Sequence, residues 1–368
     1  MMHTRICHLT SVHPRHDTRI FIKEIPSLMK AGFSVCAVVA DGKGNDSSKG
    51  FQIFDIGVPK NRLHRIFWNS QKVFKKALEI NAEIYHFHDP ELISVGVKLI
   101  KVGKKVIYDI HEDVPRDILT KYWIPTIILK RLIAYFYEMY ENKSAKKFSY
   151  LFTATPFIKE RFLKINKRCI DINNYPLLDE LDSSSNIHRR GNKVCYIGGI
   201  SEVRGIENII DAIDKADIKL ILAGEFESQP LRDNLIRKKG WINVDERGFV
   251  NRKEAALIMA NSIAGFVLFH PVPNHFDALP NKIFEYMSAR LPVIASNFPQ
   301  WKEIIEESDC GICVNPLDSS AISKAIEFLK KNPEVAEKMG KNGRDAVLKK
   351  YNWGSEEKKL IDYYRKLL

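Results

Sequence analysis

YIGGISEVRGIENIIDAI, residues 196–213, reads as a strand end, a glycine turn and the opening of a helix. The strand stops at Gly198-Gly199, a short loop follows, and Arg204-Gly205 leads into the helix. Glycines let the backbone approach a ligand closely, a helix amino end favours anions, and an arginine can bind a phosphate through two hydrogen bonds. These features together describe a diphosphate cradle, although plain strand-to-helix packing also requires a glycine turn. The spacing is neither the dinucleotide G-x-G-x-x-G nor the P-loop G-x-x-x-x-G-K-[ST].

A second informative stretch is FDALPNKIFEYMSARLPVIAS, residues 276–296. Asp277 falls in the loop before a helix, Lys282 close to the helix start, and Glu285 about a turn inside it. A carboxylate at that place can accept two ribose hydroxyls, and a lysine at a helix start can meet phosphate. The alternative is an amphipathic helix with a solvent-facing Lys–Glu pair.

Working outward, short β-rich runs alternate with longer helical patterns along the whole chain, the mark of parallel sheets covered by helices. In the first half the expected strands are 5–9, 34–39, 51–56, 83–87, 105–110 and 150–153. The polar run LDELDSSSNIHRRGN, 178–192, lacks apolar periodicity and is expected to be a linker. The pattern restarts with 193–197, 219–223, 265–269, 292–295 and 311–314. At 368 residues the chain exceeds the size of a single growing core. An α/β protein of two Rossmann-like, doubly wound domains is therefore expected, 1–185 and 186–354, with their sheet ends on either side of one cleft. The closing segment 355–368 has helical spacing at Leu360, Ile361, Tyr364 and Leu367 and is expected to fold back onto the first domain.

Hydrophobic content of 45% with 28% charged residues suits a soluble protein, and no window approaches the roughly 18 uncharged apolar residues of a membrane span. No secretory leader is legible at the start, so a cytoplasmic location is expected. The six cysteines are scattered and mostly lie in strand-like runs. Cys310-Gly311-Ile312-Cys313 has redox or half-zinc spacing, but no second pair completes a site and a buried strand is the expected reading. Net charge is +12, and residues 1–190 hold 31 Lys+Arg against 20 Asp+Glu, so the first half carries nearly all of it. A basic face of this kind suits anionic lipid, nucleic acid or a phosphorylated acceptor.

Both quoted stretches resemble the donor site of glycosyltransferase family 4, a family with the GT-B fold. The resemblance extends to GFV at 248–250, EIIEESDCGICVNPLD at 303–318 and YNW at 351–353, in the family's order. It implies a retaining transferase of the hexosyltransferase type that takes sugar from a nucleoside-diphosphate donor without a metal or other cofactor. Arg204 would then hold the diphosphate, Gly198 and Gly199 would line it, Glu285 would take the ribose and Asp277 the transferred sugar. Phe249 and Lys282 join the donor side. The family often has an arginine where Gly199 stands, so Lys282 or a basic residue of the first domain is expected to replace it.

In the first half, IYDIHEDVP (107–115) presents Asp109, His111, Glu112 and Asp113 at a strand end. The resemblance assigns His111 to the donor sugar, making His111, Asp277, Arg204 and Lys282 the candidate catalytic residues. IYHFHDPEL (84–92) places His86, His88 and Asp89 at another strand end, and the loop SVHPRHDTRIF (11–21) adds Arg15 and Arg19. Arg15, Arg19, His88 and Asp89 are the candidate acceptor-side residues. Two histidines at i and i+2 suggest metal, but acceptor-side polarity is the preferred reading.

Residues 60–76 interleave Arg62, Arg65, Lys72, Lys75 and Lys76 with Leu63, Ile66, Phe67, Trp68 and Phe74, and 126–147 form a helix rich in Tyr and Phe. Both suit an anionic membrane surface, and both could simply cover the sheet. No recognised nucleic-acid module is present. The expected acceptor is a glycan or a lipid-linked glycan of surface polysaccharide or lipopolysaccharide synthesis. The rival readings are a sugar-nucleotide epimerase of the same fold and a catalytically silent binding subunit.

Overall fold

The β-rich runs of the first half pair side by side in one parallel sheet. A computed structural model of the chain describes residues 4–121, 123–178 and 191–368, so all but the ends of the 178–192 segment lies outside the described residues. Strands β1 (Arg5–Leu9), β2 (Ser34–Val39), β3 (Gln52–Asp55), β4 (Ile84–Phe87), β5 (Lys105–Ile110), β6 (Tyr150–Thr153) and β7 (Cys169–Asp171) take the order β3-β2-β1-β4-β5-β6-β7. With helices on both faces, such strands are apolar on alternate and intervening positions alike. Leu9, Val38, Phe87 and Tyr108 face one core layer, closed by helices Ser70–Ile80, Ile93–Lys101 and Ile127–Ala145. On the opposite face His8 pairs in register with His86, and that layer is met by Tyr364 of the closing helix.

The second sheet contains β8 (Lys193–Ile197), β9 (Lys219–Ala223), β10 (Val244–Gly248), β11 (Gly265–Val267), β12 (Val293–Ser296) and β13 (Gly311–Val314), in the order β10-β9-β8-β11-β12-β13. One face packs Tyr196, Leu222 and Phe266 against helices Ile206–Ala216 and Ser319–Lys331. The other packs Val267 and Ala295 against Asn281–Ser288 and Pro299–Glu307, with Trp301 fully buried. The chain thus divides into two units, Met1–Asn174 with Glu356–Leu368, and Tyr175–Ser355.

Two strands were not legible in the sequence. β7 is only three residues long, and β10, VDERG, is a half-exposed edge strand whose polarity hides it. Cys310 immediately precedes β13 and Cys313 lies within it. Burial pushes both thiols up to about 12, so they are protonated, unpaired apolar fillers. Among the described residues no helix is long and apolar enough to cross a membrane.

Strand order positions the sites. In each sheet the order reverses beside the first strand, between β1 and β4 in one and between β8 and β11 in the other. At such a reversal the connections leave in opposite directions, opening a crevice at the carboxyl ends of the strands.

Candidate functional sites at the two strand-order reversals

In the second unit, the crevice begins where β8 ends at Gly198-Gly199. Gly198 has φ +130°, and a Cβ there would stand 2.4 Å from Cε of Lys282. Gly224, which follows β9, has φ +144°, and a Cβ there would lie 2.0 Å from the Gly198 carbonyl oxygen. Both backbone positions therefore need glycine, and the space so gained is occupied by a cation. The Lys282 ammonium lies 5.0 Å from the Tyr196 ring centroid and 5.7 Å from that of Phe269. Burial and the nearby Arg204 push Lys282 down to about 7.

Arg204 sits in the short turn Glu202–Arg204 that leads into helix Ile206–Ala216. Its Nη1 donates to the Gly199 carbonyl at 2.9 Å, and its guanidinium lies 5.6 Å from the Phe269 ring centroid. Two cations thus flank one glycine turn, both held against Phe269. Burial first and repulsion from Arg204 second make the lysine titrate low, and a polyanion would relieve both by giving the ammonium a partner.

Glu285 lies one turn inside helix Asn281–Ser288. It does not pair with Lys282; Arg252 Nη1 donates to its Oε1 at 2.6 Å. Sequence reasoning missed Arg252 because nothing in a helix start thirty-three residues upstream points to this partner. Asp277 is half-buried in the turn that precedes the same helix. Phe249 follows the edge strand β10 and is 79% exposed, and the carbonyl of the residue before it, Gly248, accepts from the Gly224 amide at 2.7 Å.

In the first unit, the reversal between β1 and β4 holds a buried polar network. Its centre is Asp109, near the end of β5 and fully buried. Arg19 grips this carboxylate with two bonds, Nε to Oδ2 at 2.8 Å and Nη2 to Oδ1 at 2.7 Å, and donates to the Ile172 carbonyl at 2.5 Å. Asp109 Oδ2 also meets His111 Nε2 at 2.9 Å and His88 Nδ1 at 3.1 Å. Burial opposes its ionisation, but Arg19, His111 and His88 together hold the carboxyl well below the usual range. Glu24 lies 3.1 Å from Arg19, yet burial and the Asp109 charge raise it well above the usual range, so the guanidinium is balanced by Asp109.

The ionised aspartate fixes the tautomers around it. Since it only accepts, His88 presents Nδ1–H to it and His88 Nε2 accepts from His8 Nδ1 at 2.9 Å. Burial pushes His88 down to about 4, so the ring is neutral. His111 likewise donates Nε2–H, which leaves Nδ1 as its basic nitrogen, the arrangement by which a carboxylate sets a histidine for proton transfer. The His13 ring lies 4.9 Å from that of His111, with Nε2 3.4 Å from Asp89.

This geometry gives each acceptor-side candidate its place. Arg19 is 3% exposed, and its guanidinium is paired with Asp109. Arg15 is held by Asp41 through two 2.8 Å bonds and by the Gly44 carbonyl at 2.5 Å, which ties down the loop 41–46. His88 and Asp89 are buried beneath the strand ends; Asp89 accepts from Thr10 Oγ1 at 3.0 Å and from the Ser11 amide at 2.5 Å. Asp113 takes Arg161 at 3.0 Å. The sequence signal for the network was the i, i+2 spacing of His86 with His88 and of Asp109 with His111, which puts all four on one sheet face.

Among the described residues, two sets of side chains are close enough to hold a divalent ion, His8, Glu24, His86 and His88, and His88, Asp109 and His111. Each includes a carboxylate within reach of Arg19. The guanidinium therefore already supplies the positive charge that a metal would bring to this pocket.

Residues 179–346 match the family described as glycosyl transferases group 1. The segment contains both stretches that form the second unit's crevice. Among characterised relatives, the α-D-kanosaminyltransferase of Streptomyces kanamyceticus is 26% identical over 180 residues, 47% of this chain and 45% of that protein. The matched stretch thus spans less than half of that relative. Among solved structures, a sucrose-phosphate synthase from Thermosynechococcus elongatus superimposes with a TM-score of 0.79 at 18% identity, covering 99% of each chain. HepE of Anabaena in complex with UDP-glucose superimposes with a TM-score of 0.74 at 15% identity, covering 99% of this chain and all of that one. The fold is GT-B.

Two outcomes follow from the geometry. Arg19→Met leaves Asp109 and Glu24 buried without the cation that faces both, and equilibrium unfolding should show a loss of about 3–5 kcal/mol; a loss under about 1 kcal/mol would rank the pair with surface ion pairs. Because Lys282 titrates near 7 and a bound diphosphate favours its charged form, binding at pH 8 should take up a proton and affinity should fall as pH rises above about 7. Calorimetry of UDP binding in buffers of different ionisation enthalpy measures this. Uptake close to one proton that disappears in Lys282→Met is expected, and the same proton count in both proteins would contradict it.

Proposed function

We propose that this protein is a retaining, metal-independent glycosyltransferase that uses a UDP- or GDP-sugar. The observation that carries the reading is the pair of cations at one glycine turn, Arg204 and Lys282, beside a strand-order reversal. Support comes from the group 1 match over that segment and from the UDP-glucose complex of HepE, whose fold this chain shares.

In the proposed reaction the bond from the anomeric carbon to the diphosphate oxygen breaks, and a bond from the acceptor oxygen forms on the same face. The acceptor proton passes to the departing diphosphate. Charge grows on that leaving group, and stabilising it is the main task. Arg204, Lys282 and the amino end of helix Ile206–Ala216 do this with side-chain and backbone charge, worth several kcal/mol where water is excluded. Gly198 and Gly199 line the phosphates. Glu285, steadied by Arg252, accepts the ribose hydroxyls, and Asp277 binds the transferred sugar. Phe249 is the proposed contact to the base. His111, with Nδ1 set as acceptor by Asp109, is the first unit's catalytic candidate. The acceptor is a glycan or lipid-linked glycan, in keeping with the excess of basic residues in the first half of the chain.

A thermal-shift panel of nucleoside diphosphates tests the reading. UDP or GDP at about 100 times its dissociation constant should add about 2.7 kcal/mol. Arg204→Ala and Glu285→Ala should lose most of that shift, and a chelator should leave wild-type binding unchanged. A protein that no nucleotide stabilises would be a silent subunit. One that turns over a sugar nucleotide with no acceptor present would be an epimerase.

A further inference from the structure

The first unit has an apolar face that its own core leaves bare. Helix Ile127–Ala145 is turned the opposite way from an ordinary surface helix: it buries the carboxylate of Glu141 and exposes its aliphatic and aromatic side chains. Glu141 is fixed inside by Arg161 Nη2 at 2.7 Å and by the hydroxyl of Tyr108 at 3.1 Å, while Tyr137 packs on the core. That anchoring points Ile128, Leu132, Tyr135, Phe136 and Met139 outward, at exposures of 50–69%. Just before the helix Trp123 is also exposed, and the Arg62 guanidinium lies 5.0 Å from its ring centroid. Arg62 opens the turn that carries exposed Leu63, Phe67 and Trp68, so the two stretches meet in one face.

Cations border this face: Arg131 and Lys143 on the helix, Lys146 and Lys147 at its end, all of them exposed. The charge of the whole chain is distributed accordingly. The first unit holds 33 Lys+Arg against 20 Asp+Glu, and the second 24 against 25. An apolar patch of this extent on a soluble protein marks an interaction surface. Two such faces meeting in a dimer would bring two strongly positive units together, whereas an anionic bilayer offers hydrocarbon to the aromatic side chains and phosphates to the lysines.

We propose that helix Ile127–Ala145 and the 62–68 turn dock this protein onto an anionic membrane, with Phe136, Leu132, Trp68 and Trp123 at the acyl boundary and the bordering cations at the lipid phosphates. The docking face lies wholly on the first unit, and the proposal stands whether or not the transferase reading does.

The test is flotation of the full chain with phosphatidylcholine vesicles, with and without phosphatidylglycerol. Binding is expected only to the phosphatidylglycerol vesicles and should weaken with salt. Arg131→Glu and Lys143→Glu should each lower partitioning about fivefold or more, and Leu132→Ser with Phe136→Ser about tenfold or more. The variants should unfold at the wild-type temperature, since the altered side chains are exposed. Absence of binding overturns the proposal, as does binding that ignores lipid charge or these substitutions. So does sedimentation equilibrium showing a dimer that Leu132→Ser with Phe136→Ser dissociates, which would assign the face to a second copy.

Discussion

The second unit depends on how closely two loops can approach. Where β8 and β9 end, the chain passes so near itself that Gly224 can carry no side chain without striking the Gly198 carbonyl, and Gly198 none without striking Lys282. A Cβ at Gly224 would push the strand ends apart, and one at Gly198 would displace the lysine. With glycine at both, a buried ammonium and a guanidinium stand on one aromatic ring beside a helix start. The electrostatic cost of that arrangement is visible in the depressed titration of Lys282. Most of that cost is the burial of the ammonium and the rest is repulsion from Arg204; a polyanion would offset both, which is how a preformed site favours a charged ligand over water.

The first unit solves a different problem with the same strand logic. Its reversal point is filled by an ion pair, Arg19 with Asp109, and by histidines on alternate positions of neighbouring strands. Pairs of this kind seldom add stability over an apolar core, and breaking one is expensive. What the pair contributes here is orientation. A carboxylate kept ionised by Arg19 dictates which nitrogen of His111 and of His88 carries hydrogen, so the outermost ring offers its remaining nitrogen in a fixed state.

Much of this was legible in the residues. The alternation of β-rich and helical runs reads as two parallel sheets because strands covered on both faces are apolar throughout, and nearly every core strand was found. The edge strand β10 escaped because VDERG carries three charges, and β7 because three residues show no period. Arg204, Lys282 and the two loop glycines were visible because they lie within a few residues of a strand end or helix start. The partners that set their chemistry were not. Arg252 reaches Glu285, Arg19 reaches Asp109 and Tyr364 reaches His86 from distant parts of the chain, and only tertiary packing decides such meetings. The burial of Arg19 was not legible for the same reason. A charged side chain in a loop reads as surface until the carboxylate buried beneath it is known.

The central claim is that one activated nucleotide is gripped by two cations at the β8 turn. A crystal structure with UDP bound tests it most directly. The account predicts diphosphate oxygens within hydrogen-bond distance, about 2.7–3.2 Å, of both Lys282 Nζ and the Arg204 guanidinium. A nucleotide seated elsewhere on the chain, or at this turn with its phosphates directed away from both side chains, would contradict it.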